Sequence, residues 1–274
     1  MPFIKTRDGT DLYVKDWGSG RPVILIHGWP LNADSWEDQA LALAEAGHRV
    51  IAYDRRGFGR SSQPWTGYEY DTLSDDLAQV IEATGARDAA IFGFSMGGGE
   101  VARYMSRHNG RNVRAAGLIA SVVPYLLQDE TNPEGTPIAL IEEQMKAPIR
   151  QDRAAFFIRF AKYFYGAGYV TSSVSEGVLD GFQQMAAQGS IKAILDCIDA
   201  FMTTDFRPDL PSFAVPTLIV HGTADQTVPI DLSARAAARG IGQATLLEYE
   251  GEPHGLNVTA KDRLTSDMLA FLAG

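Results

Sequence analysis

Residues Ala89–Gly99 read AAIFGFSMGGG, and this stretch decides the fold predicted for the chain. The apolar run Ala89–Phe92 is typical of a buried strand, and the residues from Glu100 onward read as a helix. Between them, Gly93-Phe94-Ser95-Met96-Gly97 matches G-x-S-x-G, a sharp strand-to-helix turn with a serine at its apex. Glycines relieve the crowding in such a turn because they have no Cβ atom. The stretch therefore predicts a serine hydroxyl above the sheet, beside unpaired N–H groups at a helix start.

The size and composition of the chain limit what it can be. Its 274 residues, 45% of them apolar, suffice for one large α/β core. The net charge of −10 and the lack of a lysine or arginine block argue against a nucleic-acid partner. The single cysteine, Cys197, cannot form an internal disulfide and has no metal-ligand spacing around it. No apolar run resembles a signal peptide or a membrane span, so we expect a cytoplasmic protein that binds neither membrane nor metal.

Strand and helix patterns alternate through the first part of the chain. The predicted strands are Phe3–Lys5, Leu12–Asp16, Pro22–Ile26, Arg49–Tyr53, Ala89–Phe92 and Arg114–Ala120. Helical patterns separate the later strands, over Asp34–Ala46 and from Asp71 to a stop at Gly85. This alternation is typical of a parallel sheet covered by helices on both faces. Such sheets place their chemistry at the carboxyl ends of the strands, where Ser95 falls.

A long helical stretch interrupts the alternation. From about residue 125 to residue 205 only helical patterns occur, and strand patterns resume at Thr217–Val220 and Ala244–Tyr249 before a last helix. We therefore predict an eight-stranded, mostly parallel α/β core, residues 1–124 and 206–274, with a helical cap over residues 125–205 inserted into it. A cap over the strand ends would exclude water and shape a pocket.

Aromatic residues recur at helical spacing within this predicted cap. They are Phe156, Phe160, Tyr163 and Phe164. Packing of a cap helix explains the pattern without any ligand, while a pocket wall over Ser95 is the functional alternative.

A glycine-rich turn with an ordinary surface serine would show the same short motif, so Ser95 needs a partner. A serine hydroxyl near neutral pH requires a base, itself oriented by a third group. The chain has five histidines: His27, His48, His108, His221 and His254. His48 and His108 follow helices and are predicted to be solvated, while His27 and His221 each precede a glycine at a strand end, where a structural role is expected. His254 follows the last strand at the same sheet edge as Ser95, which makes it the best candidate base, with a structural role left open.

The orienting acid should leave a strand end between Ser95 and His254. Asp225, after the strand at 217–220, fits this position, and Asp205 and Asp209 are rivals at the exit from the predicted cap. The resulting order of serine, aspartate and histidine along the chain is that of the α/β-hydrolase fold.

An oxyanion formed at Ser95 would need two N–H donors. Met96, directly after the serine, supplies one from the helix start. The loop after the third strand, His27-Gly28-Trp29-Pro30, should supply the other. Because Pro30 has no N–H, the predicted donor is Trp29.

At the family level, the chain resembles the α/β-hydrolases and, within them, the bacterial cofactor-free haloperoxidases and arylesterases, also called non-haem chloroperoxidases. The segments that carry the resemblance are 27–31, 53–62, 93–104, 204–209, 221–229 and 253–255, which span nearly the whole chain. The stretch GFSMGGGEVARY at 93–104 is particularly specific. The resemblance assigns the catalytic triad to Ser95, Asp225 and His254, and the oxyanion hole to Trp29 and Met96.

The resemblance implies hydrolysis of small aryl or short-acyl esters without metal, haem or other cofactor. It also implies that hydrogen peroxide can replace water as the nucleophile, which gives a peracid that oxidises bromide or chloride. Assembly into a trimer or hexamer is implied as well.

Two alternatives remain open from the sequence. One is a γ-lactamase or amidase of the same family, and the other is a non-catalytic binding protein that uses the same fold. The predicted substrate contacts are Trp29 and Phe201, which belong to the loop after the third strand and to the cap.

Overall fold

The computed structural model describes residues 2–168 and 174–274, and its strands form one eight-stranded sheet. The strands are β1 (Phe3–Lys5), β2 (Asp11–Gly18), β3 (Pro22–Ile26), β4 (Arg49–Tyr53), β5 (Ala89–Phe94), β6 (Val113–Ile119), β7 (Thr217–Gly222) and β8 (Ala244–Tyr249). They lie in the order β1-β2-β4-β3-β5-β6-β7-β8. Strand β2 pairs antiparallel with β1 and β4, and the remaining pairs are parallel. The predicted mostly parallel, eight-stranded α/β fold is confirmed.

The middle strands are buried along their whole length. Every residue of β3, β5 and β7 is buried, as expected for strands that helices cover on both faces. Strand β8, at the edge of the sheet, is only partly buried. Since β5 lies between β3 and β6, the residue that follows it, Ser95, emerges near the middle of the carboxyl edge of the sheet.

Helices connect the strands. They are α1 (Glu37–Glu45), α2 (Tyr70–Thr84), α3 (Met96–Arg107), α4 (Ile138–Ile141), α5 (Ala147–Gln151), α6 (Arg153–Phe164), α7 (Glu176–Ala187), α8 (Ile191–Thr203), α9 (Ala234–Gly240), α10 (Leu256–Thr259) and α11 (Lys261–Ala273). Helix α2 ends as predicted at Gly85, which adopts the left-handed conformation with φ 63°. None of the described helices is long and apolar enough to cross a membrane.

Two predicted helical segments differ in the structure. The helix expected over Asp34–Ala46 begins with a 3₁₀ turn at Ala33–Trp36, because the side chain of Asn32 accepts a hydrogen bond from the Asp34 N–H and caps the tighter turn. The expectation of only helical patterns from residue 125 was wrong for 125–137, which form a loop. The Asp129 carboxylate organises this loop by accepting hydrogen bonds from the N–H groups of Thr131 and Asn132.

Helices α4–α8 fall between β6 and β7, inside the segment predicted as a cap. Residues 169–173 of that segment lie outside the described residues. The helices contact the core beside the sheet edge: the indole N–H of Trp29 donates to the Ile194 carbonyl at 3.1 Å. The division into core and cap at residues 124 and 206 stays a prediction.

Close backbone packing at the turn after β5 explains its glycines. Ser95 has φ 53° and ψ −118°, a conformation that L residues rarely adopt. A Cβ atom on Gly93 would lie 2.3 Å from the carbonyl oxygen of Gly97, and one on Gly97 would lie 2.5 Å from that of Ile26. Both neighbours are backbone atoms, so only glycine allows α3 to start this close to β3 and β5.

Replacing Gly93 with alanine should therefore lower the free energy of unfolding by roughly 3 kcal/mol, because the new methyl group meets backbone that cannot move aside. Urea unfolding followed by circular dichroism measures the change. Gly181→Ala in α7 is the matched control, since its Cβ would meet nothing within 4 Å, and it should stabilise the helix by up to ~1 kcal/mol. Equal stability of Gly93→Ala and the parent protein would contradict the packing argument.

Candidate active site

The structure brings the three residues predicted as a triad together at the carboxyl edge of the sheet. The Ser95 Oγ lies 2.9 Å from Nε2 of His254, and Nδ1 of His254 lies 2.6 Å from Oδ2 of Asp225. All three side chains are buried. The rings of Phe94 and Phe164 pack on the imidazole with centroids 5.4 and 4.9 Å away. The imidazole is therefore held in one orientation between a hydroxyl and a carboxylate.

The carboxylate of Asp225 is surrounded by hydrogen-bond donors. Its Oδ1 accepts from the N–H groups of Thr227 and Val228, both at 2.8 Å, in the loop after β7. Burial alone would raise the pKa of Asp225, but the contacts of its carboxylate with His254 and His221 outweigh this effect and hold the pKa well below its usual range. Asp225 is therefore ionised near neutral pH, and its charge favours a proton on Nδ1 of His254.

A second histidine contacts the same carboxylate, and sequence reasoning missed this contact. Nε2 of His221 lies 2.8 Å from the Val228 carbonyl oxygen and 3.0 Å from Oδ2 of Asp225. Because a carbonyl oxygen can only accept, Nε2 must carry the proton and face both acceptors. The signal was present in the spacing, since residues 221 and 225 flank a strand end. The expected structural role of His221 in the turn thus includes a contact with the predicted triad acid.

The rival acids lie elsewhere and have other partners. Asp205 forms an ion pair with Arg207 at 2.7 Å. Asp209 accepts a hydrogen bond from Ser106 and lies 3.3 Å from the Arg103 guanidinium. No hydrogen bond joins either carboxylate to a histidine among the described residues.

The two histidines expected to be solvated are both partly exposed and partly buried. His108 Nε2 lies 2.8 Å from Asp75, and its ring stacks on Tyr104 at 5.0 Å. His48 is partly buried where the chain turns into β4. Amphipathic side chains that follow a helix can fold back over its apolar face, which the sequence position alone does not reveal.

The predicted oxyanion donors stand on two neighbouring elements. Met96 is the first residue of α3, so its N–H has no partner within the helix. Its carbonyl accepts a hydrogen bond from the Tyr70 hydroxyl at 3.0 Å. Trp29 follows β3 and is buried, and its backbone N–H forms no hydrogen bond with any described residue. Two unpaired N–H groups beside a serine can receive negative charge that develops on a bound carbonyl oxygen.

Three arginines in the turn after β4 are all engaged in ion pairs. Arg55 contacts Glu100 of α3, and Arg56 forms a bidentate ion pair with Asp76 of α2. Arg60 pairs with Asp54 at 2.7 Å. The side chains of Arg55 and Glu100 are both buried. These pairs fasten the turn to α2 and α3 rather than leaving a free cationic patch.

A cavity of about 310 Å³ opens above Ser95 and His254. Aromatic side chains form much of its wall: Trp29, Phe156, Phe160, Tyr163, Phe164 and Phe201. The aromatic residues at helical spacing therefore face this cavity as well as packing α6. The described residues that line it include no aspartate, glutamate, lysine or arginine. An uncharged ligand of modest size fits such a site because no buried charge would be left unpaired.

Comparisons with known proteins agree with this architecture. Residues 21–260 match the family model described as the alpha/beta hydrolase fold. The chain is 42% identical over 274 residues to a non-heme chloroperoxidase of Kitasatospora aureofaciens, with 99% of each chain covered. It is 39% identical over 275 residues to a bifunctional esterase/perhydrolase of Acinetobacter calcoaceticus, again with 99% of each covered. The crystal structure of a bromoperoxidase from Bacillus anthracis superposes with a TM-score of 0.95 at 46% identity, covering 99% of both chains.

These likenesses establish the family. The chain belongs to the α/β-hydrolases. Within them it is an enzyme of the group that includes non-heme haloperoxidases and an esterase/perhydrolase. A trimeric or hexameric assembly and a cytoplasmic location stay predictions.

Replacing Asp225 with asparagine should lower the free energy of unfolding by roughly 3 kcal/mol at pH 7, since an amide cannot accept from all the donors around it. The folded-state pKa of Asp225 is depressed below the ordinary 3.8, so its stabilisation is present above that pH and is lost as the pH falls further. The stability gap between parent and variant should therefore shrink at pH 3. Urea unfolding at both pH values measures it, with Asp231→Asn at an exposed ion pair as the control. A gap that stays constant or widens on acidification would contradict the assignment.

Proposed function

We propose that this enzyme hydrolyses small aryl or short-acyl esters through an acyl-enzyme on Ser95, and forms peracids when hydrogen peroxide replaces water. The observation that carries the proposal is the position of His254, whose ring joins the Ser95 hydroxyl at 2.9 Å to the Asp225 carboxylate at 2.6 Å. The names of the relatives, which include an esterase/perhydrolase and haloperoxidases, support the choice of reaction.

Acylation begins when Ser95 Oγ attacks the ester carbonyl carbon. Nε2 of His254 takes the hydroxyl proton and then delivers it to the departing alcohol or phenol oxygen. Asp225 keeps the proton on Nδ1 and stabilises the imidazolium that forms between these two transfers. The hydrogen bonds that fix Asp225 on its other oxygen supply this orientation before the substrate arrives.

The tetrahedral intermediate carries a negative oxygen that needs donors. The N–H groups of Trp29 and Met96 would bind it from the two sides of the strand-to-helix turn. Loss of one such donor costs roughly 3–4 kcal/mol in the transition state of comparable enzymes. Since both donors are backbone groups, side-chain changes should alter the pocket before they remove a donor.

Deacylation repeats the sequence with a second nucleophile. Water, deprotonated by His254, attacks the acyl carbon and releases the carboxylic acid and free Ser95. Hydrogen peroxide attacks the same carbon, the bond to Oγ breaks, and the product is a peracid. The O–O bond of the peracid then breaks as its terminal OH group is transferred to bromide or chloride, which gives the hypohalous acid and releases the carboxylate. No residue beyond those of the hydrolysis is needed.

Replacing Ser95 with alanine should abolish ester hydrolysis and peracid formation together, because both use the same acyl-enzyme. Hydrolysis of a nitrophenyl acetate and bromide-dependent halogenation with acetate and peroxide measure the two activities. A variant that keeps halogenation while losing hydrolysis would show that the peroxide reaction does not pass through Ser95.

Stoichiometric labelling with an organophosphonate separates an enzyme from a non-catalytic binding protein of the same fold. The parent protein should take up one label per chain at Ser95, while Ser95→Ala takes up none.

Including a bicyclic γ-lactam in the substrate panel tests the amidase alternative, which is favoured if the lactam turns over faster than the esters.

Phe201 should limit the length of the acyl or aryl group, because its ring stands 5.8 Å from that of Trp29 across the wall of the cavity. In Phe201→Ala, the kcat/KM ratio of a nitrophenyl hexanoate to the acetate should rise about tenfold, as the freed volume accepts additional methylene groups. Ile158→Ala, at an exposed position of α6, is the control and should leave the ratio unchanged. An unchanged ratio in Phe201→Ala would show that the acyl chain of the hexanoate does not lie against Phe201.

A further inference from the structure

His27, the residue that starts the loop bearing Trp29, is fully buried, and the proposed reaction does not use its side chain. Its hydrogen bonds fix its tautomer. The backbone N–H of Arg55 donates to Nε2 of His27 at 2.9 Å, so Nε2 is unprotonated. The proton of the neutral ring therefore lies on Nδ1.

Nδ1 of His27 points to the carbonyl oxygen of the next residue. It lies 2.8 Å from Gly28 O, a distance and partner that fit an N–H donor. A guanidinium nitrogen of Arg55 lies 3.3 Å from the same atom, and its positive charge opposes a second proton on the ring. Burial and the Arg55 charge both lower the pKa of His27 well below its usual value. The neutral tautomer is thus the form present near neutral pH.

The peptide unit that His27 holds is the one that carries the proposed oxyanion donor. The carbonyl of Gly28 and the N–H of Trp29 belong to one planar group. This bond is trans, because the cis bonds among the described residues are Trp29–Pro30 and Val123–Pro124. In a trans peptide the C=O and N–H vectors point in opposite directions. Fixing the Gly28 oxygen on one side therefore fixes the direction of the Trp29 N–H on the other.

A buried ion pair ties this arrangement to the helix that carries the second donor. Arg55 donates to the carbonyl oxygen of His27 at 2.6 Å and contacts the carboxylate of Glu100. Glu100 also accepts from the Tyr53 hydroxyl at 2.6 Å. Glu100 lies on α3, the helix that begins at Met96. The two proposed donors are therefore linked through Arg55 and Glu100 by contacts that exclude water.

We propose that His27 is a positioning residue of the oxyanion hole, whose Nδ1–H aims the Trp29 N–H at the substrate oxygen by holding the Gly28 carbonyl. This inference rests on the proposed function, because it assumes that the Trp29 N–H binds the oxyanion. The N–H of Leu31 also donates to Gly28 O at 3.0 Å. Loss of the His27 bond should therefore misdirect the donor rather than remove it.

Two substitutions separate the two hydrogen bonds of the ring. In His27→Asn, the side-chain amide can place an N–H at the position of Nδ1 and keep the bond to Gly28 O. In His27→Gln, the side-chain oxygen can replace Nε2 and keep the bond from Arg55, but no donor reaches Gly28. We expect kcat for nitrophenyl acetate to fall about tenfold or more in the glutamine variant and to stay within about threefold in the asparagine variant. KM should change little in both, because the oxyanion contact strengthens only in the transition state.

A purely structural role for His27 predicts a different pattern. Both variants would then lose stability, while kcat per phosphonate-titrated site would stay equal to that of the parent. Equal losses of kcat in the two variants, or an unchanged kcat in His27→Gln, would overturn the proposal. His108→Gln, a substitution of the same kind at a partly buried surface position, is the control and should leave kcat unchanged.

The parent protein offers a test that needs no variant. Nitrogen-15 NMR of the imidazole signals should show His27 with a protonated Nδ1 and a bare Nε2, without titration between pH 5 and pH 9. A proton on Nε2, or titration of His27 in this range, would refute the proposed hydrogen bond. If Ser95→Ala keeps full activity, the proposed function fails instead, and the NMR result still stands as a separate finding.

Discussion

The backbone conformation of Ser95 is the constraint on which the rest of the site depends. A residue with φ 53° that is not glycine costs free energy unless its surroundings impose it. Here close backbone packing imposes this conformation, since α3 starts against the carbonyl groups at the end of β3. The consequence is chemical, because the hydroxyl lies at the apex of the turn and the first N–H of α3 faces the same space. The strain is thus stored where it positions both the nucleophile and one oxyanion donor.

Buried polar groups surround the site and hold its loops in place. A buried ion pair such as Arg55–Glu100 gains little net free energy, because desolvation offsets the attraction between the charges. Its use is geometric, since it fixes the turn after β4 to α3 and supports the carbonyl of His27. The Asp225 carboxylate, which follows β7 on the opposite flank of β5, likewise has donors on both oxygens. In both cases polar groups fix the orientation of a loop or side chain, which apolar packing alone would not determine.

The sequence was informative where local chemistry decides structure. Patterns within a few residues predict the strands at 49–53 and 244–249 and the end of α2 at Gly85. Local patterns also mark Ser95, Asp225 and His254 as candidates, because each lies beyond a predicted strand end. What it could not supply was the way in which individual loops close. The hydrogen bond between Nε2 of His221 and the Val228 carbonyl depends on how the loop after β7 closes, and the loop at 125–137 depends on one aspartate that satisfies successive N–H groups. Likewise, the same helical spacing of Phe156 and Phe160 fits a packed interior and a cavity wall, and only the placement of α6 over the sheet decides that they are both.

The two histidine–glycine pairs at strand ends illustrate how position outweighs motif. His27 and His221 are both buried at the end of an apolar strand, yet their Nε2 atoms have opposite hydrogen-bonding roles. His27 accepts at Nε2 because the Arg55 N–H faces it, whereas His221 donates at Nε2 because the Val228 carbonyl and the Asp225 carboxylate face it. In each case the groups that face Nε2 determine whether it donates or accepts, and the hydrogen bonds hold the ring in one orientation. A buried histidine therefore contacts each of the two loops of the site: His27 contacts the loop that carries Trp29, and His221 contacts the loop that carries Asp225.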